Sequence, residues 1–386
     1  MKILFIGDGY PMGKEAGSVL YQRILKSYGI NNFCYYGVGY RTRLKWPEDF
    51  VKMPRSLSSL RIWSRGRISK YLKRIPLVEE LYYFFVRPFI ILRVNRFIKR
   101  NNIDLIFAVL RADVLAIINK VSEKSNLPLL GFISDTVEAE YGDKPKIYRF
   151  KLQEYLRAIQ NSQGIYVAGE AMDDYIKNKF NKPTSILRLG FYPNFKKAIN
   201  GQSKEIKIFF SGSVYAQNEF EIFVNALSTF SRKYSDYILT LITATSYKIE
   251  SKNILIKIVN LGWVSEEELI EVMQESYIGY VPYKFDESSA TQMTYAFPNK
   301  TGFYLSTGLP IFFHGPVYSS MAKFFEKYQC GIHCSSLDQN IIIGHLEKMI
   351  FNKEFYNHCK TIGSEAFLNE FSIDVMKSNF QKLIPN

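Results

Sequence analysis

One opening occurs twice in this chain, and the repetition narrows the choice of fold more than any single residue does. Lys2 to Gly7 (KILFIG) reads as a buried strand, Asp8 to Gly17 as a turn-rich loop with three glycines, and Ser18 to Tyr28 as a helix. Val19, Leu20, Ile24 and Leu25 recur on one side of that helix. Ile206 to Phe210 (IKIFF) repeats the strand, Ser211 to Tyr215 the small-residue loop, and a helix follows from about Asn218. Strand, loop and helix in this order open a Rossmann-like unit. A chain of 386 residues is long for one core and comfortable for two. Neither loop carries GxGxxG, so a dinucleotide fingerprint is not supported. Gly17 and Ser18 at the helix start are candidates to face a diphosphate, a plain strand-to-helix connection being the alternative.

The stretch Phe297 to Phe313, FPNKTGFYLSTGLPIFF, carries most of the chemistry. Pro298 can open a helix at its first turn, with Asn299 and Lys300 beside it. Tyr304 and Leu305 supply apolar contacts, Gly308 stops the helix, and Ile311 to Phe313 read as a strand after Pro310. A helix start with a lysine added is suited to a phosphate. An ordinary helix–strand unit of an α/β domain is the competing reading.

This run resembles the sugar-nucleotide segment of GT-B glycosyltransferases, particularly the family 4-like group, which reads roughly Pro-Ser-Lys-x-x-Glu-Tyr-x-x-x-Gly-x-Pro. Pro298, Lys300, Tyr304, Gly308 and Pro310 match. Phe303 stands where the family has a glutamate that touches the donor ribose, and Tyr295 stands where its Glu-x7-Glu partner would fall. A second resemblance runs through Gly262-Trp263-Val264-Ser265, Glu268-Leu269 and Gly279-Tyr-Val-Pro-Tyr283, and it makes Gly262, Trp263 and Val264 candidates for the nucleobase site. Trp263 could equally be core. Ser265 with Glu268 three residues on is a capping box. The loop at Gly212 and Ser213 resembles the family's Gly-Arg-Leu-x-x-x-Lys, but its arginine and lysine are here Ser213 and Asn218. The resemblance therefore implies that charge for the diphosphate comes from Lys300, with Arg188 and Lys284 behind it. Glu287, in the polar loop where relatives contact the donor sugar, is a candidate substitute for a missing carboxylate.

In the amino-terminal half, Ile103 to Leu110 and Leu127 to Ile133 read as strands, with a helix between them over Ala112 to Glu123. The second strand ends in Ser134-Asp135-Thr-Val-Glu138. Ligands of open α/β sheets gather beyond strand carboxyl ends. In the resembled family the comparable strand often ends in His-Asp beside the acceptor, positions that are here Ser134 and Asp135. The resemblance implies Asp135 as the leading acceptor-activating or acceptor-orienting carboxylate, with Glu138 second. The alternative for Asp135 is a cap on the next helix.

The net charge of +14 has an address, since residues 41–100 hold sixteen Lys or Arg against four acids. Cations interspersed with Leu, Ile, Trp, Phe and Tyr at helical spacing suit a segment lying in an anionic membrane interface. A solvated or oligomer face is the competing reading, and no nucleic-acid motif accompanies the charge. Arg87 and Pro88 argue against a spanning helix, and no apolar run reaches about 18 residues. The start of the chain reads as a strand and not as a signal peptide. Cys34, Cys330, Cys334 and Cys359 are scattered, which suggests a reducing compartment. The lone Cys330-Gly-Ile-His333-Cys334 has no second pair to complete zinc ligation. Asp173-Asp174 lies within a helix, so no metal site is expected. His314 reads as a loop residue.

These readings converge on an α/β chain of GT-B type, two Rossmann-like domains with parallel sheets facing across a cleft. The expected division is 1–192 for an acceptor domain, a hinge at about 192–204, 205–370 for a nucleotide-sugar domain, and 371–386 for a helix crossing back. The resemblance implies transfer of a sugar from a nucleotide sugar to an acceptor hydroxyl on a glycan or glycolipid, without a cofactor or metal, by electrostatic stabilisation of the departing diphosphate. The expected location is cytoplasmic, peripheral on the inner face of the cell membrane. A nucleotide-sugar epimerase of the same fold and a non-catalytic membrane-attached scaffold remain as alternatives.

Overall fold

A computed structural model of the chain describes residues 1–7, 16–29, 33–37, 76–111, 114–135, 145–195, 204–249 and 254–385. The basic stretch 41–75 and Glu138 lie outside the described residues. The described residues form two compact units. The first is Met1–Ala168, Met172–Leu187 and Lys377–Asn386, and the second is Gly169–Ala171 with Arg188–Met376.

The first unit is built on a parallel sheet in the order β2-β1-β3-β4-β5-β6. Its strands are β1 (Ile3–Gly7), β2 (Phe33–Gly37), β3 (Leu105–Val109), β4 (Leu129–Ile133), β5 (Gly164–Val167) and β6 (Thr184–Ile186). Strands β1, β3 and β4 are buried at every position, as parallel strands covered on both faces must be. Helix α1 spans Ala16–Tyr28 and α2 spans Pro76–Asn101. Of the helix expected over Ala112 to Glu123, the described residues form α3 at Ile118–Ser125. The end of the chain packs in this unit. Phe380 stacks on Tyr166 at 5.3 Å and accepts that hydroxyl at its carbonyl, while Ser185 Oγ donates to Asn379 O at 2.8 Å.

The second unit repeats the plan as β12-β11-β10-β7-β8-β9. Here β7 is Glu205–Ser211, β8 Ile238–Ala244, β9 Lys257–Asn260, β10 Ile278–Pro282, β11 Ile311–His314 and β12 Gly331–Cys334. Phe210, Phe220, Phe223, Tyr280 and Phe312 fill its centre fully buried, with Phe223 stacked on Tyr280 at 3.8 Å. Such rings combine large burial with specific geometry. In each sheet the strand order reverses once, between β1 and β3 and between β7 and β10. Those reversals mark where a doubly wound sheet opens a crevice at its carboxyl edge.

Candidate active site

In the second unit, three segments meet beyond the carboxyl ends of β7 and β10. They are the loop after Ser211, the segment after Pro282, and the stretch from Phe297. Gly212 turns the first with φ +92°, a left-handed conformation that favours glycine, and its N–H donates to Ala244 O at 3.0 Å. A Cβ on Gly212 would lie 3.9 Å from Lys300 Nζ. That nitrogen sits 4.1 Å from the centre of the Phe210 ring. It is buried and has no hydrogen-bond partner among the described residues. Burial lowers its pKa to about 7, because desolvation disfavours the charged form.

The helix around Lys300 begins later than the proline suggested. Pro298 and Asn299 form a turn closed by Thr301 N–H donating to Pro298 O at 3.0 Å, and the helix runs Lys300–Ser306. Asn299 makes no side-chain cap. Gly308 ends the segment at φ +71°. Tyr304 is fully buried, and its hydroxyl accepts the Ser211 N–H at 3.0 Å. Burial pushes its pKa up to about 12. Its ring lies against Gly279, where a Cβ would come within 2.5 Å of Cδ2. Tyr304 therefore holds the end of β7 in place. Phe303, at the family's glutamate position, is buried and stacks on Phe191 at 5.3 Å.

Other candidates are placed elsewhere. Arg188 is buried between Glu170 at 2.6 Å and Glu370 at 2.9 Å, with its guanidinium 4.1 Å from the Phe297 ring centre. Its charge is already matched, so it is not available to neutralise a diphosphate. Gly262, at φ +64°, donates to Asn260 Oδ1 at 2.9 Å beside the edge strand β9. Trp263 is 74% exposed, which removes the core alternative. Val264 is half-buried, and the Ser265–Glu268 capping box is present at the start of helix Glu266–Glu275. Glu287 is exposed on a single 3-10 turn, and Ser213 is exposed on the Gly212 loop.

A pocket of about 550 Å³ opens beside the Gly212 loop. Tyr215, Gln217, Asn218 and Glu219 line one side, and Lys284, Phe285, Asp286 and Leu337 complete it. Glu219 lies in the first turn of helix Gln217–Lys233 and is only 4% exposed. Its Oε1 accepts the Phe285 N–H at 3.0 Å. Asp286 Oδ1 accepts from Ser288 Oγ and from the Ser289 N–H, and the Ser288 hydroxyl chiefly holds its carboxyl below the usual range. Under this pocket His314 is not a loop residue. It ends β11 fully buried, and its Nε2 donates to Ser336 O at 2.8 Å. That bond leaves Nδ1 as an acceptor. Tyr280 shares its hydroxyl proton between this nitrogen at 3.0 Å and Glu219 O at 3.2 Å. Burial lowers the His314 pKa to about 4, so the ring stays neutral. Glu219 escaped sequence reading because it belongs to no motif, and His314 stands where the sequence suggests only a loop. An acid in the first turn after a small-residue loop was the available signal for Glu219.

In the first unit, Gly17 and Ser18 fall in the first turn of α1. Asp135 follows β4, half-exposed, with its Oδ2 accepting from Ser134 Oγ at 3.3 Å. Arg111, two residues beyond β3, stands 3.7 Å from the same carboxylate. Adjacent strands thus bring an acid and a base to one edge, and Arg111 was not anticipated. Among the described residues no group of three or more His, Cys, Asp or Glu could hold a metal ion. The four cysteines are buried and free.

Residues 210–361 match the family model described as glucosyltransferase 3-like, C-terminal domain. A comparison with curated proteins returns no match. Among solved structures, sucrose-phosphate synthase from Thermosynechococcus elongatus superposes with a TM-score of 0.65 at 10% identity, covering 99% of this chain and 98% of that one. The Anabaena protein HepE in complex with UDP gives 0.66 at 11% identity, covering 99% of each chain. An E. coli trehalose-6-phosphate protein bound with UDP-2-fluoro glucose gives 0.66 at 10% identity over the whole of both chains. At that identity the likeness is one of fold, and it spans both units. Residues 210–361 are thus a glycosyltransferase domain, set in a chain whose fold is GT-B.

Proposed function

We propose that this enzyme moves a sugar from a nucleotide-diphosphate donor to an acceptor hydroxyl on a lipid-linked or polysaccharide precursor at an anionic membrane surface. One observation carries the donor half: Lys300 Nζ is buried beside a glycine loop with no hydrogen-bond partner among the described residues. A buried ammonium without a counter-charge is costly unless a partner arrives. A diphosphate at the Gly212 loop would restore its charge and be stabilised by it as the leaving group forms. The reading relies on this amine and not on a metal ion. The UDP and UDP-sugar complexes of proteins with the same fold support the donor class. Asp135 is the proposed acceptor carboxylate, oriented beside Arg111 at 3.7 Å.

Helix α2 supports the membrane half. Ile91, Val94 and Ile98 are buried at helical spacing, while Phe89 is 70% and Leu92 46% exposed beside exposed Arg96, Lys99 and Arg100. Apolar side chains among cations suit a lipid interface, and among the described residues no helix is long and apolar enough to cross one. In this reading the enzyme works peripherally at the cytoplasmic face.

A thermal-shift panel of UDP, GDP, CDP and dTDP sugars tests the donor. One nucleotide series is expected to raise Tm, and nucleotide release is expected to require an acceptor. Release without any acceptor would favour epimerisation, and no shift with any nucleotide would favour a scaffold.

A further inference from the structure

The pocket beside the Gly212 loop has a chemistry that a diphosphate does not explain. Its charged lining is Glu219 and Asp286 against the single ammonium of Lys284. Glu219 is more than nine-tenths buried, yet only one of its oxygens is engaged. Oε2 has no hydrogen-bond partner among the described residues and keeps some exposed surface, so it is reachable from the pocket. The Phe285 N–H pins the carboxylate through Oε1 and fixes where Oε2 stands. Gln217 and Asn218 add exposed amides, which both donate and accept. Tyr215 is 37% exposed, leaving part of an aromatic ring at the rim.

A fixed carboxylate oxygen accepts hydroxyl protons well and opposes anions. Amides match hydroxyls in either sense, and an aromatic ring suits the C–H face of a sugar. We infer that this pocket is the donor-sugar subsite, that Glu219 reads the ring hydroxyls through Oε2, and that its negative lining selects a neutral sugar over one bearing a carboxylate. The inference rests on the donor reading above and adds the class of sugar.

Binding of UDP, UDP-glucose and UDP-glucuronic acid to the full chain, measured by calorimetry, separates the two. UDP-glucose is expected to bind at least about tenfold more tightly than UDP-glucuronic acid, because like charges placed together are penalised. Glu219→Gln keeps the shape of the side chain and is expected to shrink that ratio toward one while leaving UDP affinity in place. Lys284→Ala removes the only cation of the lining and is expected to widen the ratio, which guards against a Glu219 variant that folds poorly. Equal affinity for the two UDP-sugars in the wild type would overturn the inference. So would a ratio that neither substitution moves. A protein that binds none of the three would overturn the donor reading, and this inference with it.

Discussion

The second unit buries two cations in opposite ways. Arg188 lies between two carboxylates and against three aromatic rings. Lys300 lies against one ring and, among the described residues, has no acid to neutralise it, burial being the one cause of its lowered pKa. A chain that needs a cation only for structure surrounds it as Arg188 is surrounded, since a lone buried charge costs several kcal/mol. Leaving Lys300 bare makes sense where its partner comes from outside. The contrast separates a cation held by the scaffold from one proposed to meet a ligand, although both entered as candidates for the same role.

The comparison is broken most forcefully at Arg188. Arg188→Ala strands two carboxylates and should lower unfolding stability by about 3–5 kcal/mol, read by chemical denaturation of the whole chain. A loss under about 1 kcal/mol would place Arg188 outside the scaffold. Gly279→Ala comes next, because the added methyl meets the Tyr304 ring at 2.5 Å. Overpacking of this kind costs about 1–3 kcal/mol. It should also loosen the Ser211 N–H bond and weaken donor binding, so unchanged stability and affinity together would contradict the positioning role of Tyr304.

The pH dependence sharpens the other half. Lys300 has a folded pKa near 7 against an ordinary value of 10.5. Between those values the unfolded chain binds more protons, so stability rises with pH. The folded state without ligand therefore carries its full penalty below about pH 7 and sheds it toward pH 10.5. Lys300→Met should be more stable than wild type at pH 6, with the gap closing as pH rises. Parallel stability curves would mean that the amine is solvated after all. The smallest effect is expected at α2, where each of Arg96, Lys99 and Arg100 changed to glutamine should cost on the order of 1 kcal/mol in binding to vesicles of anionic lipid. Cosedimentation that ignores these changes would remove the membrane half of the proposal.

Much of the fold was legible because parallel strands are short apolar runs and the loops between them carry small residues. KILFIG and IKIFF announced both sheets, and the Ser265–Glu268 box announced its helix. Helix starts were less legible. Pro298 is compatible with a first turn, but the helix begins at Lys300, and the described residues just before Ile118 are not yet α-helical. At the site, the motif located Lys300 and Gly212, which the fold brings together. It could not reveal that Arg188 is spoken for, because Glu370 lies 182 positions away. Nor could it reveal Glu219 and His314, whose surroundings come from three strands. Trp263 shows the reverse case, a large aromatic whose composition suggests core and whose place at the edge of the sheet leaves it exposed.

The central claim is that Lys300 is unpaired because a diphosphate completes it. Titrating wild type and Lys300→Met with UDP, alongside thermal unfolding of each, tests this directly. The account predicts a variant at least as stable as wild type at neutral pH, with UDP affinity reduced by about 10²-fold or more, the scale of losing a charge-assisted contact of about 3 kcal/mol. A folded Lys300→Met protein that binds UDP as tightly as wild type would contradict it.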